Sequence, residues 1–412
     1  MVGVKTFFRH ILKPMKYVLL CILLLLCTGC KSTTKIADAT APTAAATHSP
    51  APTAYSLTRV EVQLTAGKDT LTYTLWDLGL RQKDGKRTLD AAVFSALCEK
   101  LNTAYGQSST DAALTTTPDS AEAFSIQAEQ DGYQVDTQAL RQAILAYEPG
   151  QVIELTMEPV KASITAADLQ QRYGLISQFT TSFSGSTLSK KNRVKNMALA
   201  VERINGQVIK PGEEFSMNKT ILDRTKQNGY YKAAAIRDGT YVQEYGGGVC
   251  QVSSTLCNAA LMADLQITER HHHSWPMHYV PIGRDATIAT GYKDFTFVNS
   301  TAGDLLIRAR MDEKKKTLTV ELYGELPTDF AYIEVVSEKT GSLPGKGSKT
   351  MLDESLPAGS KVEEKKARQG KTSVTYKDYY DSNGQKIKRE VAWKDTYPSI
   401  EGLVYVSADL YH

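Results

Sequence analysis

A run of three glycines directly before a small, apolar helical segment constrains this chain more than any other sequence feature. The block reads GGGVCQVSSTLCNAALMADL from Gly246 to Leu265. Glycine lacks a Cβ atom, so the backbone here can turn sharply and let another chain segment or a ligand approach closely. After the glycines, one helical face carries small and apolar side chains, namely Val252, Leu256, Ala259, Ala260 and Ala263. We therefore predict a tight turn that leads into a largely apolar helix.

The position of Cys250 in this block makes it a candidate nucleophile. It lies at or beside the predicted helix start, where Ser253 and Ser254 are candidate capping residues. The positive end of the helix macrodipole stabilises an anion, so it lowers the pKa of a thiol and raises the thiolate fraction at neutral pH. Residues beside such a thiol are candidates for substrate contact, here Gly246, Gly247, Gly248 and Gln251.

Candidate partners for the thiol follow it in the chain. The possible bases are His271, His272, His273 and His278, and the possible carboxylates are Asp285 and Asp294. In an extended segment His271 and His273 face one way and His272 the other, so spacing alone does not select one. Cysteine, histidine and aspartate in this order are found in transglutaminase-like and related wall peptidases, which is an analogy. The alternatives are a cysteine that only packs under its helix and histidines that form a solvated edge. A zinc site lacks a paired cysteine motif and regular ligand spacing.

The cysteine count argues against a disulfide framework. Of six cysteines, Cys21, Cys27 and Cys30 fall in the N-terminal leader, which leaves the odd set Cys98, Cys250 and Cys257. Seven residues of helix would separate Cys250 from Cys257 by about 10 Å, beyond the reach of a disulfide bond. At least one exported thiol is therefore predicted to be free.

The N-terminus has the pattern of an export signal. Lysines and arginine precede an apolar run from Tyr17 to Cys27, which is shorter than the about 20 residues that a transmembrane helix needs. Residues Leu26-Cys27-Thr28-Gly29-Cys30 resemble a bacterial lipobox, which implies cleavage before a lipidated Cys30; an uncleaved or conventionally cleaved signal is the alternative. Residues 31–54 are rich in Ala, Thr, Pro and Ser and predict a disordered tether. We expect a protein anchored to the outer face of the cytoplasmic membrane.

Composition limits the remaining functions. The chain has 412 residues with 48 basic and 45 acidic side chains, a formal net charge of +3. These charges are well mixed, so no nucleic-acid partner is expected, and no motif for a cofactor is present. The length suggests two or three folded domains after the leader and tether.

Several further blocks, in a fixed order, resemble the VanW family over residues 170–310. A helix opens at Asn192-Arg193-Val194-Lys195-Asn196 and ends at Asn205-Gly206; the other blocks are Lys210-Pro211-Gly212-Glu213-Glu214-Phe215, Asn228-Gly229-Tyr230, Glu269-Arg270-His271-His272-His273-Ser274, Gly283-Arg284-Asp285-Ala286-Thr287 and Asp294-Phe295-Thr296-Phe297-Val298-Asn299. That family is associated with glycopeptide resistance and peptidoglycan. The resemblance implies His273 as the imidazole, because it occupies the family's His-Ser position, and Asp285 as the carboxylate.

The flanking regions predict two further domains. The first domain is predicted over residues 55–165. It begins with a strand in which Val60, Val62 and Leu64 alternate with polar residues, followed by a helix that carries Leu89 to Leu101 with Cys98 in the core. Asp136 precedes a second helix, and Ile153, Leu155 and Met157 alternate as in another strand. Gly132-Tyr133-Gln134-Val135-Asp136 resembles the peptidoglycan-binding domain that often precedes VanW domains.

Residues 311–412 predict β structure with a hairpin at Asn383-Gly384. The glycine motifs resemble the G-five domain, which implies binding of wall aminosugars. Tyr379, Tyr380, Trp393 and Tyr397 are expected either to stack on sugar rings or to pair across strands. The predicted class is therefore multidomain α+β: a mixed α+β N-terminal domain, a central α+β domain and a small all-β C-terminal module.

Two functional hypotheses follow. In the first, the protein is a thiol-dependent hydrolase or transferase of peptidoglycan peptides, in which Cys250 attacks, His273 takes its proton and Asp285 holds the ring. In the second, it is a non-catalytic peptidoglycan-binding or scaffolding protein, in which Cys250 is structural.

Overall fold

The computed structural model describes residues 61–118, 120–184, 190–237 and 240–412. The predicted leader with Cys30, the tether over 31–54 and the start of the first folded region lie outside the described residues. Helices make up 20% and strands 41% of the structure, in several small sheets, so the predicted multidomain α+β class is confirmed. In the described part of the chain, no helix is both long enough and apolar enough to cross a membrane.

The N-terminal region is built from short strands and three helices. The strands are β1 (Glu61–Ala66), β2 (Asp69–Thr74), β3 (Leu80–Lys83), β4 (Lys86–Leu89), β5 (Ala113–Thr116), β6 (Phe124–Gln127), β7 (Gly132–Val135), β8 (Val152–Glu154) and β9 (Met157–Val160). The helices are α1 (Ala91–Tyr105), α2 (Thr137–Leu145) and α3 (Ala166–Arg172). One sheet has the order β2-β1-β8, and β3-β4, β5-β6 and β7-β9 are separate pairs.

Local capping explains where the first two helices begin. The Asp90 side chain accepts from the backbone N–H groups of Ala92 and Val93 at the start of α1, and Asp136 accepts from Ala139 at the start of α2. Each cap satisfies N–H groups that have no partner within the helix. The apolar faces of these helices then pack with β1 and β8, and Cys98 lies in that core as predicted, 7% exposed.

The single strand predicted over Ile153, Leu155 and Met157 is wrong. The chain forms two strands here with different partners: β8 pairs in parallel with β1, and β9 pairs antiparallel with β7. Periodicity of two describes both strands, but it carries no information about a change of partner between them.

The central region contains a four-stranded sheet, a three-stranded sheet and a hairpin. Its strands are β10 (Tyr173–Ser182), β11 (Val208–Ile209), β12 (Glu214–Ser216), β13 (Lys232–Arg237), β14 (Thr240–Tyr245), β15 (Gln266–Glu269), β16 (Thr296–Val298), β17 (Leu305–Asp312) and β18 (Thr317–Glu325). Its helices are α4 (Lys191–Ile204), α5 (Met217–Ile221) and α6 (Val249–Met262). The sheet orders are β10-β18-β17-β11 and β12-β16-β15, and β13-β14 is the hairpin.

Helices α4 and α6 cover the four-stranded sheet and form the largest core with it. Met197, Ala200 and Ile204 of α4 and Val252 and Leu256 of α6 have no more than 6% exposure and pack with the sheet's inner face. Helix α6 is buried nearly all round, since every residue except Cys250 and Met262 is buried. A helix in such a position needs small side chains and satisfied polar groups. The sequence of α6 supplies both.

The C-terminal module is all β. Its strands are β19 (Tyr332–Ser342), β20 (Ser348–Leu352), β21 (Lys361–Lys365), β22 (Lys371–Tyr380), β23 (Lys386–Tyr397) and β24 (Gly402–Val406), in two sheets with the orders β19-β22-β23 and β20-β24-β21. The predicted hairpin at Asn383-Gly384 joins β22 to β23, with Gly384 at a φ of +78°. Such a left-handed position is one that glycine adopts without strain.

The boundary that we placed at residues 310 and 311 falls inside β17. The turn at Lys314 to Lys316 connects β17 and β18, two neighbouring strands of the central sheet. Strand β18 ends at Glu325, and the name C-terminal module refers to residues 326–412 below.

The C-terminal module packs against the end of α6. Leu261 contacts a small apolar cluster of the module formed by Ile333, Val335 and Tyr379. The Tyr379 hydroxyl donates to Asp264 Oδ1 at 2.7 Å, and Lys377 forms an ion pair with the same carboxylate. The module is thus fixed directly to the helix that carries Cys250.

Candidate active site

Cys250 is the second residue of α6, as the sequence predicts, and its side chain is half-buried. Gly248 is the N-cap residue and offers no side-chain cap. Ser253 and Ser254 are not caps, because they follow the first turn of α6; their hydroxyls donate to the backbone carbonyl of Ala286, at 2.6 and 3.2 Å. Backbone carbonyls replace a side-chain cap, since the N–H groups of Val249 and Gln251 donate to the carbonyls of Gly246 and Gly248. Cys250 therefore lies in the first turn of the helix, at its positively polarised end.

The glycines before Cys250 let the β13-β14 hairpin pack against the start of α6. Gly246 and Gly247 are buried, and Gly248 is half-buried with a φ of +113°. A Cβ atom at Gly247 would lie 2.6 Å from the Ala233 carbonyl oxygen, a distance that only glycine allows. This packing accounts for Gly247, and contact of the three glycines with a substrate remains a prediction.

The structure places Gln251 in the protein interior, with 0% exposure. Its amide nitrogen donates to Thr181 Oγ1 and to the Ser182 carbonyl, and its oxygen accepts from Arg193. Because both ends of the amide are engaged within the protein, Gln251 positions its neighbours rather than facing a ligand.

His273 and Asp285 meet Cys250 from the long segment between β15 and β16. The His273 Nδ1 atom lies 2.6 Å from Asp285 Oδ2, and the same oxygen accepts from the His273 backbone N–H at 2.7 Å. Since Nδ1 is occupied by the carboxylate, Nε2 is the ring atom left to interact with the Cys250 thiol, whose pKa His273 lowers. His273 is 8% exposed and Asp285 0% exposed. The structure thus places a carboxylate-bound imidazole within electrostatic reach of the thiol.

The other candidate histidines and Asp294 lie elsewhere. His271 Nε2 is 2.9 Å from Glu269, and His272 Nδ1 is 2.7 Å from the His273 carbonyl oxygen. The ring of His278 stands 6.1 Å from that of Tyr279. Asp294 accepts from Ser216 and from the backbone of Asn218, so it fixes the start of α5. Among these candidates, His273 is the imidazole that acts on the thiol, and Asp285 is the carboxylate that contacts His273.

Electrostatics in the site favour a thiolate beside an imidazolium. Burial alone would raise the pKa of Cys250, but the hydrogen bond and charge of His273 lower it to about 6. Burial alone would lower the pKa of His273, but hydrogen bonds to Asp285 and Cys250 raise it to about 9. Burial alone would raise the pKa of Asp285, but His273 lowers it to about 2. Between about pH 6 and pH 9 the ion pair is the favoured state.

Polar groups around the sulfur suit both of its protonation states. Cys250 Sγ lies 3.6 Å from Thr287 Oγ1 and 3.7 Å from the Ile288 carbonyl oxygen. A thiol can donate to that carbonyl, whereas a thiolate can accept from the Thr287 hydroxyl. The ring of Tyr279 packs edge-on against the imidazole, with its centroid 6.5 Å from that of His273.

Sequence analysis assigned no role in the site to two side chains that contact Asp285. The Tyr397 hydroxyl donates to Asp285 Oδ1 at 2.5 Å, and Arg270 Nε donates to the Asp285 carbonyl oxygen at 2.7 Å. Tyr397 is 1% exposed, so its ring is not available to stack on a sugar; it pairs across strands with Lys371. The signal that was present for Arg270 was its place beside the histidines; for Tyr397 there was none, because it lies 112 residues after Asp285.

The described residues contain no candidate metal site. No group of three or more His, Cys, Asp or Glu side chains is arranged there to hold an ion. The nitrogen and oxygen atoms that His273 and Asp285 would offer a metal are engaged with each other instead.

The central region matches a known protein family. The family described as "VanW like protein" matches residues 192–323. The chain is 39% identical over 186 residues to "Uncharacterized protein YoaR" of Bacillus subtilis, covering 43% of this chain and 59% of that protein. It is 32% identical over 131 residues to "Vancomycin B-type resistance protein VanW" of Enterococcus faecalis, covering 31% of this chain and 48% of that protein. The chain thus spans about half the length of these relatives.

A solved structure, "Crystal structure of HP0197-G5", resembles 18% of this chain over 95% of its own length, at 19% identity and a TM-score of 0.11. A likeness of this size supports no argument about function. The family match, in contrast, contains Cys250, His273 and Asp285 together with β11, β17 and most of β18 of the four-stranded sheet. Residues 192–323 of this chain therefore match the VanW family.

Proposed function

We propose that this chain is an exported cell-envelope protein whose VanW domain catalyses thiol-dependent acyl transfer or hydrolysis on the peptides of peptidoglycan. One observation carries the proposal: the pKa of a half-buried thiol, at a helix start without a side-chain cap, is lowered by an imidazole that a buried carboxylate orients. This arrangement generates a nucleophile, a general acid–base group and a group that orients it.

The reaction follows from these positions. The Cys250 thiolate attacks the carbonyl carbon of a peptide bond, and the positively polarised start of α6 stabilises the oxyanion. The His273 imidazolium then gives its proton to the departing amine, so the C–N bond breaks and a thioester remains on the sulfur. Water or a second amine attacks the thioester while His273 takes a proton from it, and the thiolate is restored. Asp285 holds the ring in the required tautomer throughout.

The envelope location and the substrate class rest on the leader and on the relatives. The N-terminus has an export signal pattern with a lipobox-like Cys30, and one relative is described as a vancomycin B-type resistance protein. Vancomycin-type antibiotics act on the cell wall, so wall peptides are the substrates that we propose. Lipidation of Cys30 would keep the domain at the membrane surface.

One observation favours a non-catalytic, wall-binding role instead. His273 is only 8% exposed and Asp285 is not exposed, so a substrate reaches the site only past the half-buried sulfur. In that case the thiol–imidazole pair would stabilise the domain, and the protein would bind the wall without changing it. The two functions differ in whether a covalent intermediate forms.

The experiment tests for that intermediate. The full chain in mild detergent is incubated with purified peptidoglycan and with soluble wall peptides, then quenched in acid and digested for mass spectrometry. We expect an acyl adduct on Cys250 and altered wall-peptide products, both absent from Cys250→Ala. Cys257→Ala is the matched control, because Cys257 lies on the same helix and burial raises the pKa of its thiol to about 12. A folded Cys250→Ala protein that yields the same products as the wild type rules out the enzyme.

A further inference from the structure

The carboxylate of Asp285 is held from both sides, and one side comes from outside the VanW domain. Its Oδ2 atom accepts from His273, whereas its Oδ1 atom accepts from the Tyr397 hydroxyl at 2.5 Å. Tyr397 is the last residue of β23 in the C-terminal module, beyond the family match that ends at residue 323. The catalytic carboxylate therefore depends on a strand that lies outside its own domain.

The direction of this hydrogen bond is fixed by a second one. The Gly283 backbone N–H donates to the Tyr397 oxygen at 3.0 Å. A hydroxyl that accepts from an N–H group on one side is left to donate its own proton on the other, toward Asp285. Burial and the negative charge of Asp285 raise the pKa of Tyr397, so the hydroxyl stays a donor over the whole pH range in which the thiol titrates.

The C-terminal module also donates hydrogen bonds to the turn at Gly283, which precedes Asp285. Trp393 Nε1 and Thr375 Oγ1 both donate to the Gly283 carbonyl oxygen, at 2.6 and 2.9 Å. Gly283 has a φ of +82°, and a Cβ atom on it would lie 2.8 Å from Thr375 Oγ1. The close fit of the module at this position requires glycine.

A buried ion pair makes a third connection. Arg270 Nη1 lies 2.6 Å from Asp395 Oδ1 of β23, with both side chains 6% exposed. The same guanidinium donates through Nε to the Asp285 carbonyl oxygen. Arg270 therefore links the backbone of Asp285 to the strand that carries Tyr397.

We propose that Tyr397 is a positioning residue of the Cys250 site and that the C-terminal module is a structural part of the reaction centre. The inference deepens the proposed function, on which its catalytic consequence rests. Tyr397 keeps Asp285 Oδ1 occupied, so Oδ2 stays directed at His273 Nδ1. Without the hydroxyl, the carboxylate loses one of the hydrogen bonds that favour its charged form, and His273 is less firmly held as an imidazolium. The thiolate of Cys250 is then less stable.

The test replaces Tyr397 by Phe in the full chain and measures the rate of Cys250 alkylation as a function of pH. Cys250 and Cys257 share one tryptic peptide, since no Lys or Arg lies between Arg237 and Arg270, so fragmentation of that peptide assigns the label. Loss of one hydrogen bond to a charged group, transmitted in part through His273, should raise the titration midpoint by roughly half to one pH unit.

Tyr379→Phe is the matched control. Tyr379 is also 1% exposed, and its hydroxyl also donates to a carboxylate of the central region, at Asp264. Asp264 follows the far end of α6, about 20 Å along the helix direction from Cys250. We expect a comparable loss of thermal stability from this variant and a wild-type midpoint.

A second variant keeps the test decisive if Tyr397→Phe does not fold. Trp393→Phe removes one donor to Gly283 and should shift the midpoint in the same direction by less. The inference is overturned if folded Tyr397→Phe, or Trp393→Phe where Tyr397→Phe does not fold, titrates with the wild-type midpoint while the wild type titrates near pH 6; the proposed function is then left intact. A wild-type midpoint at the value of an ordinary thiol overturns both.

Discussion

Replacement of Asp285 by Asn tests whether the carboxylate is what primes the thiol. The change keeps the size of the side chain and removes its charge. An Asn oxygen or NH₂ group can still meet His273, but the amide does not stabilise an imidazolium, and its NH₂ group favours the wrong tautomer. We expect the variant to fold, because the surrounding donors to the Asp285 backbone remain.

The expected size of the effect follows from the shifts in the wild type. The pKa of His273 is raised from 6.5 to about 9 against the effect of burial. Once the carboxylate is neutral, burial holds that pKa below 6.5, and the imidazole is uncharged at neutral pH. Cys250 then lacks its cation, and burial moves its pKa from about 6 to the ordinary 9.0 or higher. The titration midpoint should therefore rise by about three units.

The assay must follow the midpoint rather than a rate at one pH. At about pH 7.5, a rise of three units lowers the thiolate fraction roughly 30-fold. The more basic thiolate is also more nucleophilic, by roughly 20-fold for a Brønsted coefficient of about 0.45. These effects nearly cancel, so alkylation at one pH would hardly change. A full pH profile, read by mass spectrometry on the Cys250 peptide, separates them.

A matched variant and a clear refutation complete this test. Asp294→Asn changes another partly buried carboxylate of the same segment, one that accepts from Ser216 and Asn218 instead of a histidine. It should leave the midpoint of Cys250 unchanged. A folded Asp285→Asn protein whose thiol still titrates near pH 6 would show that the helix start alone primes Cys250, and the triad argument would fail.

Two further predictions concern stability. Gly247→Ala should lower the free energy of unfolding by about 2–4 kcal/mol, because the new Cβ atom meets backbone carbonyls. Gly291 has a φ of +86° and open space around it, so Gly291→Ala should lower that free energy by only about 1 kcal/mol. Equal losses of the two variants in urea titrations would contradict the packing argument. The pKa of Asp285 is about 2 in the folded protein against an ordinary 3.8, so its stabilising contribution is fully present above about pH 4 and is lost as the pH falls through about 2. The difference in unfolding free energy between wild type and Asp285→Asn should therefore shrink by about 2 kcal/mol over that window, and a constant difference would refute the assignment.

Features that depend on a few neighbouring residues were predictable. The apolar stripe of α4 and its end at Asn205-Gly206 are present, as are the cap at Asp136 and the hairpin at Asn383-Gly384. Cys250 also lies at a helix start as expected. Each of these rests on periodicity, capping or turn chemistry, which operate over less than two helical turns.

Features that depend on distant partners were not predictable. The division between β8 and β9 is set by which strand each one meets, and the end of the central domain is set by the pairing of β17 with β18. The roles of Ser253 and Ser254 also depend on a distant segment, because their hydroxyls donate to the Ala286 carbonyl, which comes from a later part of the chain.

The order of residues along the chain was enough to show which chemical groups the site contains: a cysteine after three glycines, a histidine cluster and an aspartate. The choice of imidazole required the folded structure, because His271, His272 and His273 are the same residue type and differ in the groups that lie opposite them. It also decided that Tyr397 completes the site. Contacts across more than a hundred residues depend on how sheets pack, and packing of this kind leaves no local pattern in the chain.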